Sequence, residues 1–216
     1  MIIEQLSSGH SRCVLFFAGW GMDARPFGHI KSDGFDLFIV YDYRSLDADF
    51  SPLERYDEVH LVAWSMGVWA ASAALKNVAI TSATAINGTE LPVNDEYGIP
   101  VKIAYGTLNT LTPETLPRFN RRMCASAEVL EVFNTNAPRR GIEELKEELS
   151  AIYRQAEKNS ETSIVWNRAV IGRGDRIFPV SNQECFWQRK KVGKLRIIDA
   201  PHYPFYLWNE WREIIV

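Results

Sequence analysis

Val59-His60-Leu61-Val62-Ala63-Trp64-Ser65-Met66-Gly67 runs an apolar strand straight into a serine. Ala70, Ala71, Ala73, Ala74 and Leu75 then favour a helix through intrinsic propensity and small volume. A strand, a sharp turn and a helix in that order lift the turn serine into a strained backbone conformation. The residues two places either side of it must be small, because strand and helix approach closely there. Ala63 and Gly67 meet that demand, although Ala63 stands where the strict pattern has glycine. The helix also sets its positive dipole end and free N–H groups behind Ser65. A small-Ser-x-Gly string alone is a weak signal; its position between strand and helix makes Ser65 a candidate nucleophile.

On either side, short apolar runs alternate with helical patterns, which predicts a largely parallel sheet with helices on both faces. Cys13–Phe17 is a strand stopped by Ala18-Gly19-Trp20-Gly21, and Phe35–Tyr41 is another. Thr84-Ala85-Ile86 leads into Asn87-Gly88, and strand runs return at Ala169–Gly172 and Leu195–Ile198. Between about Thr112 and Ser163 the pattern changes. Leu116, Phe119 and Met123 repeat at helical spacing after Pro113, and Pro138 and Gly141 break the segment. Ile142, Leu145, Leu149, Ile152 and Ala156 then recur in steps of three and four, with glutamates and lysines on the other face. A helical insertion over 112–163, serving as a lid, is the expectation. Pro204–Ile215 reads as an aromatic-rich terminal helix.

The 216 residues suit one domain, and 46% hydrophobic with 24% charged residues is ordinary globular usage. A net charge of -3 gives no global field toward nucleic acid or anionic membrane. The start lacks the basic and apolar regions of a signal peptide, and no apolar run approaches the roughly 20 residues that span a bilayer. A cytoplasmic protein is expected. Cys13, Cys124 and Cys185 are odd in number and scattered, so buried reduced thiols are expected, with no metal or other cofactor.

The candidate base is one of His10, His29, His60 and His202. His60 lies within the strand before Ser65, and His10 in a polar turn. His202 follows the last strand in Asp199-Ala200-Pro201-His202, where a loop leaving the carboxyl end of the sheet would hold it above Ser65. Its plainer reading is a histidine at the surface or the core edge. Asp175 directly follows the strand Ala169–Gly172, where a carboxylate can accept the imidazole proton and fix its tautomer. Its plainer reading is a solvated turn aspartate between two arginines; Asp199 competes but is too near His202 along the chain. The order Ser65, Asp175, His202 is that of the α/β-hydrolase fold. That fold draws two oxyanion donors from the turn after an early strand and from the residue after the nucleophile, which here gives the Trp20 and Met66 N–H groups.

With these residues placed, the chain resembles the BioG-type pimeloyl-acyl-carrier-protein methyl ester esterases over nearly its full length. The resemblance is carried by Phe17-Ala18-Gly19-Trp20-Gly21-Met22, Ala63–Gly67, Ile86-Asn87-Gly88-Thr89 and Phe119-Asn120-Arg121-Arg122-Met123. It implies hydrolysis of a methyl ester at the far end of a pimeloyl chain tethered to acyl carrier protein, in biotin synthesis. The residues by themselves reach only an esterase or related acyl hydrolase. A thioesterase, a lipase-like enzyme or a carbon–carbon bond hydrolase on the same triad stays open, as does a hydrolase-fold binding protein without turnover. Arg118, Arg121, Arg122, Arg139 and Arg140 could grip an acidic carrier protein and its phosphopantetheine phosphate, a solvated lid face being the alternative. Phe119, Phe133 and Trp69 could line an acyl channel, or simply be core.

Overall fold

The computed structural model describes residues 1–6, 9–158 and 164–215. Seven strands form one sheet among them: β1 (Ile2–Gln5), β2 (Arg12–Phe17), β3 (Asp36–Tyr41), β4 (Glu58–Trp64), β5 (Ser82–Ile86), β6 (Arg168–Gly172) and β7 (Lys194–Ile198). The spatial order is β1-β3-β2-β4-β5-β6-β7, with β1 antiparallel to β3 and every other pairing parallel. The central strands are continuous apolar runs because both of their faces are covered. Cys13 through Phe17 on β2 and Leu61 through Ala63 on β4 have no exposed surface.

Helix α1 (Met66–Ala74) is buried along most of its length, and its alanines let it lie close against the sheet. Gly67 makes that approach feasible, since a Cβ there would stand 2.3 Å from the Phe17 carbonyl oxygen and 2.5 Å from that of Ala18. Four helices bridge β5 and β6: α2 (Val101–Thr110), α3 (Leu116–Cys124), α4 (Ala127–Thr135) and α5 (Ile142–Ala156). The helical run therefore opens at Val101, ahead of the expected boundary at Thr112. The expected end near Ser163 lies outside the described residues. On helix α2 Ala104 is buried, while Val101, Ile103 and Tyr105 are exposed. On α5, Leu145, Leu149 and Ile152 face inward as expected, but Glu148 is buried among them.

Helix α6 (Val180–Lys190) packs Gln183, Phe186 and Trp187 inward. Cys185 stands on its outer side and is exposed, which corrects the expectation of three buried thiols. Cys13 and Cys124 are buried, and burial pushes both thiols up to about 12. The expected terminal helix is also corrected. Phe205–Leu207 forms a single 3-10 turn and α7 is only Arg212–Ile215. Between them Lys31 captures the chain, donating to the Asn209 carbonyl and accepting from Trp211 N–H, so the backbone runs extended there. Among the described residues no helix is long and apolar enough to cross a membrane.

Candidate active site

Ser65, Asp175 and His202 leave the carboxyl ends of β4, β6 and β7, the edge where parallel α/β sheets assemble their sites. Ser65 has φ 59° and ψ −127°, a conformation L-residues rarely adopt, and its N–H donates to the Ile86 carbonyl at 3.0 Å. Around it the fold leaves little room. A Cβ at Gly88 would lie 2.4 Å from the Ser65 carbonyl oxygen, and one at Gly19 would lie 3.2 Å from the Ser65 Cβ.

The structure brings the three side chains together. His202 Nε2 is 2.9 Å from Ser65 Oγ, and His202 Nδ1 is 2.8 Å from Asp175 Oδ2. An ionised carboxylate only accepts, so Nδ1 carries the proton toward Asp175 and Nε2 is left to accept from the Ser65 hydroxyl. Asp175 is held in turn by the N–H groups of Ile177 and Phe178 on Oδ1, at 2.8 and 3.0 Å, and by Gln183 Nε2 on Oδ2 at 3.0 Å. The His202 ring stacks on Phe178 with 7° between planes. Its carbonyl oxygen accepts from Trp64 Nε1 at 2.8 Å. Asp199, the competing carboxylate, is exposed. The other histidines bond elsewhere: His10 to Asp36, His29 to the Phe205 carbonyl, His60 to Ser82 and Glu58.

The backbone N–H groups of Trp20 and Met66 have no acceptor among the described residues, and both residues border the cavity above Ser65. That cavity is narrow, with Ile99, Ile103, Met123, Leu149 and Ile177 among its walls and Arg122 as its cationic member. Phe119 lines it too, edge-on to Trp20 at 5.1 Å. Tyr153, another wall, donates its hydroxyl to the Ala104 carbonyl, and burial raises its phenol. The arrangement can activate a hydroxyl against an acyl carbon, stabilise an oxyanion and hold an apolar chain.

Two expected channel residues lie elsewhere. Trp69 is buried on α1, and Phe133 is buried against Tyr203 at 5.2 Å, so both belong to the core. The expected basic patch divides. Arg118, Arg121 and Arg122 are exposed on α3 and form no ion pair among the described residues. Arg139 is exposed, with its N–H bound to Asp23 at 2.8 Å. Arg140 is not available for docking: its side chain is 7% exposed and pairs with Glu148 at 2.6 Å. Its other terminal nitrogen lies 3.3 Å from Asp42, an ion-pair contact without hydrogen-bond alignment. Gln183, Glu148 and Asn87 escape sequence reading as site residues: Glu148 and Asn87 bond to partners distant along the chain, and Gln183 reaches back to Asp175 from α6 with no motif to mark it.

A family model described as pimeloyl-ACP methyl esterase BioG matches residues 1–214. The solved BioG from Haemophilus influenzae is 34% identical, covers 100% of both chains and superposes with a TM-score of 0.93. A Bacteroides fragilis protein named malonyl-[acyl-carrier protein] O-methyltransferase is 50% identical over 192 residues. Those residues are 88% of this chain, which spans only 39% of that protein's length. A thermophilic esterase from Thermogutta terrifontis, at 15% identity and a TM-score of 0.65 over 94% of this chain and 86% of its own, shares the α/β-hydrolase fold.

Proposed function

Because the chain belongs to the pimeloyl-ACP methyl esterase BioG family, we propose that it hydrolyses the terminal methyl ester of a pimeloyl chain carried on acyl carrier protein, in the cytoplasm and in the service of biotin synthesis. The observation that carries this reading is the pair of contacts at His202, 2.9 Å to Ser65 and 2.8 Å to Asp175, at the floor of an apolar cavity. Ser65 Oγ attacks the ester carbonyl while its proton passes to His202 Nε2, and Asp175 stabilises the imidazolium. The Trp20 and Met66 N–H groups receive the oxyanion, each worth on the order of 3 kcal/mol of barrier. His202 then returns the proton to the departing methoxide, which leaves as methanol. Water, deprotonated by His202, cleaves the acyl-enzyme, giving the free acid and Ser65.

The apolar walls favour the uncharged ester over the carboxylate product, whose burial there is unfavourable. The cations of α3, Arg118, Arg121 and Arg122, are read as the docking face for the acidic carrier and its phosphate. The helices between β5 and β6 are read as a lid over the site, within a single domain. The Bacteroides relative is named for methylating malonyl-carrier protein; removal of a methyl ester from a carrier-bound chain is the chemical complement of that step.

The test is methanol release from the carrier-bound pimeloyl methyl ester, beside an acyl thioester on the same carrier. Methanol release with the thioester intact is expected, and Ser65→Ala should lower it by about 10⁴ to 10⁶. Thioester cleavage with the methyl ester left whole overturns the reading.

A further inference from the structure

Asn87 does not line the cavity above Ser65, yet its side chain bonds to two of the three segments that carry the triad. It directly follows β5, with φ 45°, and is 1% exposed. Its Oδ1 accepts the Gly172 N–H at 2.6 Å, three residues before Asp175. Its Nδ2 donates to the carbonyls of Pro201 and His202, both at 3.0 Å. Its neighbours hold the third segment, for Ile86 accepts the Ser65 N–H and Gly88 lies flat against the Ser65 carbonyl. The amide cannot be flipped, because two carbonyls require donors and one N–H requires an acceptor.

No other residue type fits both demands. The backbone needs a left-handed conformation, in which asparagine is tolerated. Aspartate would keep the Gly172 bond but set a negative charge against two carbonyl oxygens. The bland account is that a buried amide merely satisfies buried backbone groups. Against it, the bonded groups are the His202 carbonyl itself and the strand end that launches Asp175. The same His202 carbonyl also receives the Trp64 indole, so the imidazole hangs from a main chain fixed by two donors.

We propose that Asn87 is a positioning residue that sets the His202 and Asp175 segments in register over Ser65. It acts through the two triad contacts and touches no substrate. The proposal rests on the reading of Ser65, Asp175 and His202 as a working triad.

Asn87→Asp and Asn87→Gly test it; glycine keeps the backbone conformation and deletes all three bonds. Turnover of a small soluble methyl ester is measured per site titrated by a fluorophosphonate. The low-field proton resonance of His202 Nδ1–H is recorded on the same samples. A misplaced base is expected to lower kcat by about 100-fold with KM within about threefold, and to move or broaden that resonance. Unchanged kcat per titrated site with an unmoved resonance overturns the proposal, even where the melting temperature falls. Failure of both variants to fold also overturns it, since Asn87 then serves folding alone. Ser65→Ala runs alongside. Full activity in that variant sinks the triad reading itself, whereas its loss beside fully active Asn87 variants sinks only the positioning role.

Discussion

The Glu148 carboxylate accepts the backbone N–H of Gly21 at 3.1 Å, across 127 residues of chain. The same carboxylate takes the Tyr43 N–H at 2.9 Å and Arg140 at 2.6 Å. The Trp20 indole donates to the Leu145 carbonyl one turn earlier on α5. Helix α5 is thereby bolted to the Trp20-Gly21 turn, and its Leu149 forms a fixed wall of the cavity above Ser65. Burial pushes the Glu148 carboxyl upward, against the opposing pull of Arg140 and the two N–H donors.

Glu148→Gln keeps the volume and removes the charge, and Arg140 retains the Asp42 carboxylate and the Met22 carbonyl. The loss of charged hydrogen bonds should lower folding stability by about 2 to 3 kcal/mol. A loosened turn should also lower kcat by about 10- to 100-fold with a smaller change in KM. Denaturant unfolding and steady-state kinetics on one preparation check both. Full kcat in a destabilised variant would show that the Trp20-Gly21 turn holds its shape without α5.

The positions of Ser65, Asp175 and His202 were legible because each directly follows an apolar run, and parallel strands end at one edge. Glu148 and Arg140 were not. Sequence reads them as outward charges on and before α5, but each is buried by virtue of the other and of Asp42, Gly21 and Tyr43. Asn87 was visible as a turn residue, while its bonds to residues more than a hundred positions away depend on the finished sheet. The terminal segment had helical composition, and its pairing with Lys31 overrode that preference.

Two glycines with opposite surroundings measure how tightly the nucleophile turn is built. Gly67→Ala drives a methyl against two backbone carbonyls of the central sheet, which cannot move aside. A loss of about 3 kcal/mol or more is expected, with much of the protein failing to fold. Gly106 lies in the exposed helix α2, and a Cβ there meets nothing within 4 Å. Gly106→Ala should therefore stabilise by about 0.4 to 1 kcal/mol. Urea unfolding midpoints compare the two, and similar values for both would contradict this account of the elbow.

Arg118 and Arg121 separate docking from chemistry better than Arg122, which borders the cavity and lies 5.7 Å over the Phe119 ring. Reversal of both to glutamate should weaken hydrolysis of carrier-bound ester by about 10-fold or more at low salt, mainly through KM, and spare a small soluble ester. The difference should shrink as salt is raised. Equal losses on both substrates would mean that α3 supports the cavity rather than the carrier.

Acid stability should be governed in part by Asp36, far from the triad at the start of β3. Its side chain is fully buried and accepts Tyr56 OH at 2.6 Å, His10 Nδ1 at 2.9 Å, and the N–H groups of Gly9 and His10 at 3.1 Å. Burial works against the charge, but the hydrogen bonds from Tyr56, His10 and Gly9 outweigh it and lower the carboxyl from 3.8 to about 2. A depressed folded-state value means that the unfolded chain takes up the proton first. The stabilisation is therefore fully present above 3.8 and drains away as pH falls toward about 2. Asp36→Asn should be less stable at neutral pH and lose less on acidification across that window. Unfolding free energies measured from neutral pH down to about 2 give both slopes. Parallel slopes for the two proteins would assign the acid sensitivity to other carboxylates.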